Sequence, residues 1–293
     1  MDLENSFLNA ISESFKAYDK YGARSNKKLI PIHKWFAKVI ENKLGDRYYT
    51  KCLGNGGEYK LNGKYYPKNL DISIFNKETD KLVATISFKF VTSNYKQNAN
   101  NYFENLLGET ANIRRVNVGF AHFLVLRGHT PYYTKNKGNL RGELKKIELI
   151  SEKDLMKYIK LYNDLDFPHK PNVLGIALID FDDSENAYFV DLDSMKISEE
   201  DIGKINKILE KAGFSNEKIN EINKKLKEVG FSEADIEEIE KELKKAKIPK
   251  KDIKEINKFL NNIGFSEKGI KALNEMSLNK FIKRVVGLCQ LMD

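Results

Sequence analysis

Residues 65–90, YYPKNLDISIFNKETDKLVATISFKF, decide how the chain folds. Two segments, LDISIF and LVATISFKF, are rich in β-branched and aromatic residues, and the polar NKETDK between them reads as a turn, so a β-hairpin is expected. Side chains alternate across a strand, which puts Ile86, Phe88 and Phe90 on one face and Thr85, Ser87, Lys89 and Val91 on the other. Pairing Phe75 with Leu82 or with Val83 sets Asp71 beside Ile86 or beside Ser87. The second register gathers Asp71, Ser87 and Lys89 on one face of adjacent strands, where an acid and an ammonium meet at a sheet edge.

The flanking sequence supplies a mixed α/β setting. Residues 3–19 carry Leu3, Phe7, Ile11, Phe15 and Tyr18 on one helical side, and the basic loop YGARSNKK follows. Pro31 opens a second helix with Ile32, Trp35, Phe36, Val39 and Ile40 on its apolar face, and Gly45 stops it. Strands are expected at about 47–53, 70–75, 82–91, 119–126 and 173–181, with a helix near 98–113.

An apolar content of 41% over 293 residues is enough for a substantial core. The acidic start MDLENSFLNAISESF lacks the basic and apolar regions of a signal peptide, and no apolar run approaches a membrane span, so the cytoplasm is the expected location. Cys52 and Cys289 have no zinc-ligand or disulfide spacing and read as buried thiols. Residues 1–150 hold 25 Lys/Arg against 14 Asp/Glu, while residues 151–195 hold 4 against 10 and residues 196–293 hold 21 against 18. The positive field therefore belongs to the first half, where it would attract a polyanion such as nucleic acid.

All 14 tyrosines and the single tryptophan precede residue 196, which marks a boundary between a domain at 1–195 and another at 196–293. The second repeats every 17 residues, beginning at 196, 213, 230, 247 and 264. Ser198, Ser215, Ser232 and Ser266 fall at N-cap positions, and Gly213, Gly230 and Gly264 fall where a preceding helix would turn in a left-handed conformation. Phe214 with Ile219, Phe231 with Ile236 and Phe265 with Ile270 have hydrophobic-staple spacing. An all-α array of short helices is expected, stacked because such helices are marginal alone. Its exposed faces mix Lys and Glu, which suits assembly or partner binding more than direct DNA contact.

The hairpin has the chemistry that phosphodiester hydrolysis needs. A divalent cation held by carboxylates polarises the phosphoryl oxygen and lowers the pKa of a bound water, while a nearby cation steadies the nucleophile and the growing charge. Magnesium suits such oxygen ligands. Asp71 would be a ligand, the Phe88 carbonyl another, and Lys89 would orient the water; one further acid is needed. The IDFDDSENAYFVDLD run lacks the spacing of a calcium loop and reads as a decorated turn, and His33, His122, His129 and His169 have no metal-ligand spacing.

An Asp opening one strand, followed on the next by S-x-K at Ser87, Phe88 and Lys89, resembles the PD-(D/E)xK nucleases, and within them the type II restriction endonucleases. The likeness covers about residues 20–135. Ser87 stands where the family pattern has an acid. One branch of the family carries S-x-K with its glutamate moved to the following helix, and Glu104 stands 15 residues beyond Lys89. Gln97, Asn101, Glu104 and Gly108 form one helical stripe that would point back at the metal. Glu109 and Glu58 are the competing acids. The resemblance implies a restriction-endonuclease-like mixed sheet flanked by helices. It also implies a Mg²⁺-dependent, sequence-specific cut of double-stranded DNA leaving 5′-phosphates, made by a homodimer or higher homo-oligomer. Arg24, Lys27, Lys28, Gln97, Asn101, Arg114 and Arg115 are the candidate DNA contacts. The rivals are a same-fold nuclease acting on junctions or damaged DNA and a catalytically silent DNA-binding or scaffold protein.

Overall fold

A computed structural model describes residues 2–22, 25–134, 142–228, 233–245, 249, 253 and 264–293. In chain order its elements are α1 (Leu3–Tyr21), a 3-10 turn (Asn26–Leu29), α2 (Ile30–Leu44), β1 (Tyr48–Cys52), β2 (Tyr59–Asn62), β3 (Pro67–Leu70), β4 (Ile72–Asn76) and β5 (Leu82–Val91). There follow α3 (Tyr95–Arg114), β6 (Gly119–Arg127), β7 (His129–Tyr133), β8 (Leu144–Leu149), α4 (Glu152–Asn163), β9 (Val173–Phe181) and β10 (Ala187–Phe189). The remaining described helices are α5 (Glu199–Lys211), α6 (Asn216–Glu228), α7 (Glu233–Lys245), α8 (Glu267–Glu275) and α9 (Leu278–Met292). They form two units, one of Met1–Glu148, Tyr162–Val190 and Met276–Asp293, the other of Leu149–Leu161 and Asp191–Glu275.

The first unit is built on a mixed six-stranded sheet of order β1-β4-β5-β6-β9-β10. β1, β4 and β5 are antiparallel neighbours, β5, β6 and β9 are parallel, and β10 returns antiparallel to β9. Parallel neighbours need a crossover, and α3 supplies it between β5 and β6. Both registers weighed for the hairpin occur in turn. Phe75 faces Leu82 beside the turn, a bulge lies between Ile74 and Phe75, and from there Ile74 faces Ala84 and Ile72 faces Ile86. The bulge adds one residue on one strand, so Asp71 arrives opposite Ser87. The Asn76 side chain fixes the turn by accepting the Glu78 and Thr79 N–H groups at 2.8 and 3.1 Å.

One face of the sheet is covered by α1, α2 and α9, which bury Phe7, Ile11, Phe36, Phe281, Ile282 and Val285 against Ile86, Phe88 and Phe123. Phe123 and Phe281 meet with ring centres 4.7 Å apart over Gly175, where a Cβ would stand 2.4 Å from one ring and 2.6 Å from the other. α9 departs from the expected boundary at 195. It falls in the fifth repeat and beyond, yet it packs in the core of the first unit, and Asp293 at its end pairs with Arg47 at 3.1 Å and accepts from Tyr48 Oη at 2.8 Å. Its buried stripe carries the aromatic Phe281 beside Ile282, Val285 and Leu288, whereas the buried stripes of α5 and α6 are Ile and Leu alone. Two small two-stranded ribbons were not anticipated, β2 antiparallel to β3 and β7 with β8.

In the second unit α5, α6 and α7 bury Ile205, Leu209, Ile219, Ile222, Leu226, Ile239 and Leu243 together. Ser198, Ser215 and Ser266 cap their helices, accepting the N–H groups of Asp201, Lys218 and Gly269 at 3.1, 3.3 and 3.1 Å. Gly213 is left-handed with φ 79°, whereas Gly264 is not. Gly264 is required instead by a close backbone approach, since a Cβ there would lie 2.1 Å from the Met195 carbonyl oxygen, and its neighbour Phe265 donates to that oxygen at 2.7 Å. Gly230, Phe231, Ser232, most of the fourth repeat and the Ile236 side chain lie outside the described residues. Among the described residues no helix is long and apolar enough to cross a membrane.

Candidate active site

Asp71 is the residue at which the chain leaves the β2–β3 ribbon and enters the central sheet. Its Oδ2 accepts the Phe88 N–H at 2.9 Å, and the Ser87 side chain also hydrogen-bonds to it. β4 has ended at this point, so the Phe88 N–H that would have continued the ladder takes the side chain of Asp71 instead. In an extended strand the N–H and C=O of one residue project to the same side, so the Phe88 carbonyl faces the same edge. Burial pushes the Asp71 carboxyl above its ordinary value, while the Phe88 N–H, Lys89, Lys68 and Ser87 pull it down without restoring it. Lys89 is exposed between buried Phe88 and Phe90.

The helix acid in this field is Glu109. It pairs with Lys68 of β3 at 3.4 Å, and it feels Asp71 and Lys89. Burial and the Asp71 charge raise its pKa against the opposing lysines. Glu58 is raised by burial and then by Asp71, with Lys68 opposing. Burial disfavours the charge on Lys68, but Glu109 and Asp71 outweigh it and lift its pKa. Three acids and two lysines therefore share one electrostatic neighbourhood. Among the described residues no three His, Cys, Asp or Glu side chains are gathered into a ready metal cluster.

Glu104 lies elsewhere on α3. Gln97, Asn101, Glu104 and Gly108 are all exposed, whereas Tyr95, Leu106, Thr110 and Ile113 are buried. Five residues turn a helix by about 140°, so Glu109 comes round beside the inward stripe as Glu104 faces out. The signal in the sequence was an acid set among the apolar positions of a helix that crosses over a sheet; the polar stripe drew attention because it was regular.

The candidate DNA contacts divide. Lys28 lies 5.4 Å from the Tyr18 ring, and its pKa is lowered by burial and then by Lys89, with Tyr18 opposing. Lys27 stands 4.5 Å over Tyr21. Arg115 is exposed over Tyr65, whose hydroxyl it meets at 3.2 Å. Arg114 is committed within the protein, donating to both Asp166 oxygens and to the Phe167 and Lys170 carbonyls at 2.6–3.1 Å. Gln97 donates to the Tyr132 hydroxyl, and Asn101 is exposed. Arg24 lies outside the described residues.

Two histidines take definite roles. His122 is the register partner of Ser87, and burial followed by Lys89 holds its pKa at about 3, so the ring is neutral. His129 rests its Nδ1 2.7 Å from Asp180, a buried carboxylate within the acidic run that read as turn decoration. Asp182 of that run does shape the turn, accepting the Ser184 and Asn186 N–H groups at 2.9 and 2.8 Å. The chain matches no protein-family model, and no curated protein or solved structure is significantly similar to it.

Proposed function

We propose that the first unit is a magnesium-dependent, sequence-specific endonuclease of the restriction type that cuts double-stranded DNA and leaves 5′-phosphates. The observation that carries this reading is the Asp71 carboxylate, fixed by the Phe88 N–H at 2.9 Å, in the field of exposed Lys89 and of Glu109. An acid at the start of one strand, S-x-K on the next and a helix acid together support the finer likeness to the PD-(D/E)xK nucleases.

Asp71, Glu109 and the Phe88 carbonyl are hard oxygen donors. They fit magnesium, which takes one or two carboxylates and keeps several waters, so a third acid is not needed. When bound, the ion supplies Lewis acidity toward the phosphoryl oxygen and acidifies a water. The protein's own groups do the rest. Ser87 and the Phe88 N–H prevent Asp71 from rotating away. Lys89 orients the attacking water and offsets charge growing on the phosphate. Lys28 and Lys89 repel one another, and a phosphate between them relieves that repulsion. A homodimer would bring two such sites to the two strands of a symmetric target.

Ser87 in place of an acid and the Lys68–Glu109 pair at 3.4 Å favour a second reading, a catalytically silent DNA-binding module. Digestion of a large unmethylated DNA separates the two. The nuclease reading expects discrete fragments with Mg²⁺, none with chelator, and none from Asp71→Ala or Lys89→Ala. DNA binding of equal strength with and without Mg²⁺, with linear and branched substrates both left intact, would establish the silent module.

A further inference from the structure

Beyond Lys89 the strand runs into Ser93 and Asn94 and then α3, and at this junction a cavity of about 720 Å³ opens within the first unit. Three rings line it, Tyr18, Tyr132 and Tyr133, together with the amides of Gln97 and Asn98 and the ammonium-bearing Lys145. Among the described residues that line it there is no Leu, Ile, Val or Met, and the rings, amides and ammonium suit a polar aromatic ligand better than an aliphatic one. The volume falls within the range of about 300–1,000 Å³ usual for small-ligand pockets.

The walls are held in place. Asn94 adopts a left-handed φ of 54°, and its side chain brackets Tyr133, donating to the carbonyl at 3.1 Å and accepting the N–H at 3.0 Å. Gln97 donates to the Tyr132 hydroxyl, and Lys146 stands 5.2 Å from the centre of the same ring. Tyrosine rings offer faces for stacking, side-chain amides match the donor and acceptor edges of bases, and lysine suits the phosphate that accompanies them. Tyr18 also links the cavity to the cleavage site, because Lys28 lies over its ring and feels Lys89. Asn94 stands five positions beyond Lys89, a span of at most about 18 Å, so a strand with its phosphate at Lys89 reaches the cavity within a few nucleotides.

We infer that this cavity receives a nucleobase of a nucleic-acid strand, stacked on Tyr132 and read by Gln97 and Asn98. The inference rests on the nuclease reading for its context but can fail separately from it. The test uses 2-aminopurine, whose fluorescence is quenched on stacking, with chelator present to prevent cleavage. Two probes are titrated: the deoxynucleoside monophosphate, and a single-stranded oligonucleotide bearing one 2-aminopurine. Saturable quenching is expected with both, at least about tenfold tighter for the oligonucleotide because backbone contacts add to stacking. Tyr132→Leu and Asn98→Ala should each weaken binding about tenfold with melting temperature unchanged. Asp71→Ala should retain the quenching while losing cleavage. Quenching that survives both cavity substitutions, or is absent at millimolar probe, overturns the inference. Equal affinity for the two probes overturns its nucleic-acid part. Cleavage without quenching removes the cavity alone, and quenching without cleavage removes the nuclease reading alone.

Discussion

Asp71 and Glu109 are acids that the folded chain holds against their preference, since burial raises both pKa values and the nearby lysines only partly offset it. The sign of the consequence is fixed. An acid whose folded pKa lies above its unfolded value of about 4 binds more protons when folded, so stability falls as pH rises between the two values. Asp71→Asn keeps an acceptor for the Phe88 N–H and removes the charge, so it should raise the melting temperature at pH 7 without metal. The gain should vanish toward pH 4, and a thermal melt series across pH checks it. The same acids must be ionised to hold a cation, so cleavage should rise with pH through a midpoint above the ordinary carboxylate range. Glu109→Gln should lower cleavage about 10²-fold or more, comparable to losing one preorganised electrostatic group, while Glu104→Gln stays within about twofold. Asp71, Ser87 and Lys89 were legible in the sequence because a strand has a period of two and a hairpin has few registers. Glu109 is not singled out by the sequence, because the helix carries both Glu104 and Glu109 and choosing between them requires knowing which face turns inward.

Elements set that face. α3 must cover the step from β5 to β6, so its Leu106–Thr110–Ile113 side goes inward and takes Glu109 with it. The five principal strands and the helices around them were readable because alternation, Pro31 and Gly45 punctuate them. The β2–β3 ribbon was not, since YKLN and PKNL carry too little alternation to stand out, yet that ribbon brings Lys68 to the site. α9 begins inside the fifth repeat and therefore reads as part of the array, but the aromatic Phe281 in its buried stripe packs into the sheet's core. Phe281 is fully buried there, so Phe281→Ala should cost about 3–5 kcal/mol in a denaturant melt. Cleavage should fall with the folded fraction, since Phe281 is remote from Asp71 in role. A melt unchanged within about 0.5 kcal/mol would mean that α9 does not belong to this core.

Over the whole molecule, the surplus of positive charge in residues 1–150 accompanies the proposed site, and the near balance in residues 196–275, 18 Lys/Arg against 17 Asp/Glu, accompanies the helical unit. Phosphate contacts release counterions, so the affinity for DNA should fall with salt by a logarithmic slope of about 0.9 per contacted phosphate. Lys27→Ala should lower that slope by about one, whereas Arg114→Ala, whose guanidinium is occupied by Asp166 and two carbonyls, should leave it unchanged. Binding titrations at several salt concentrations, made without Mg²⁺, read both. Whether acids from a strand start and a helix converge with Lys89 on one hard cation is read by diffraction from crystals soaked in Mn²⁺. One anomalous peak is expected, bound to Asp71, Glu109 and the Phe88 carbonyl at about 2.1 Å, the distance for a hard octahedral ion. A site saturated with Mn²⁺ elsewhere, or an ion on Asp71 completed by Glu104 while Glu109 stays with Lys68, would contradict it.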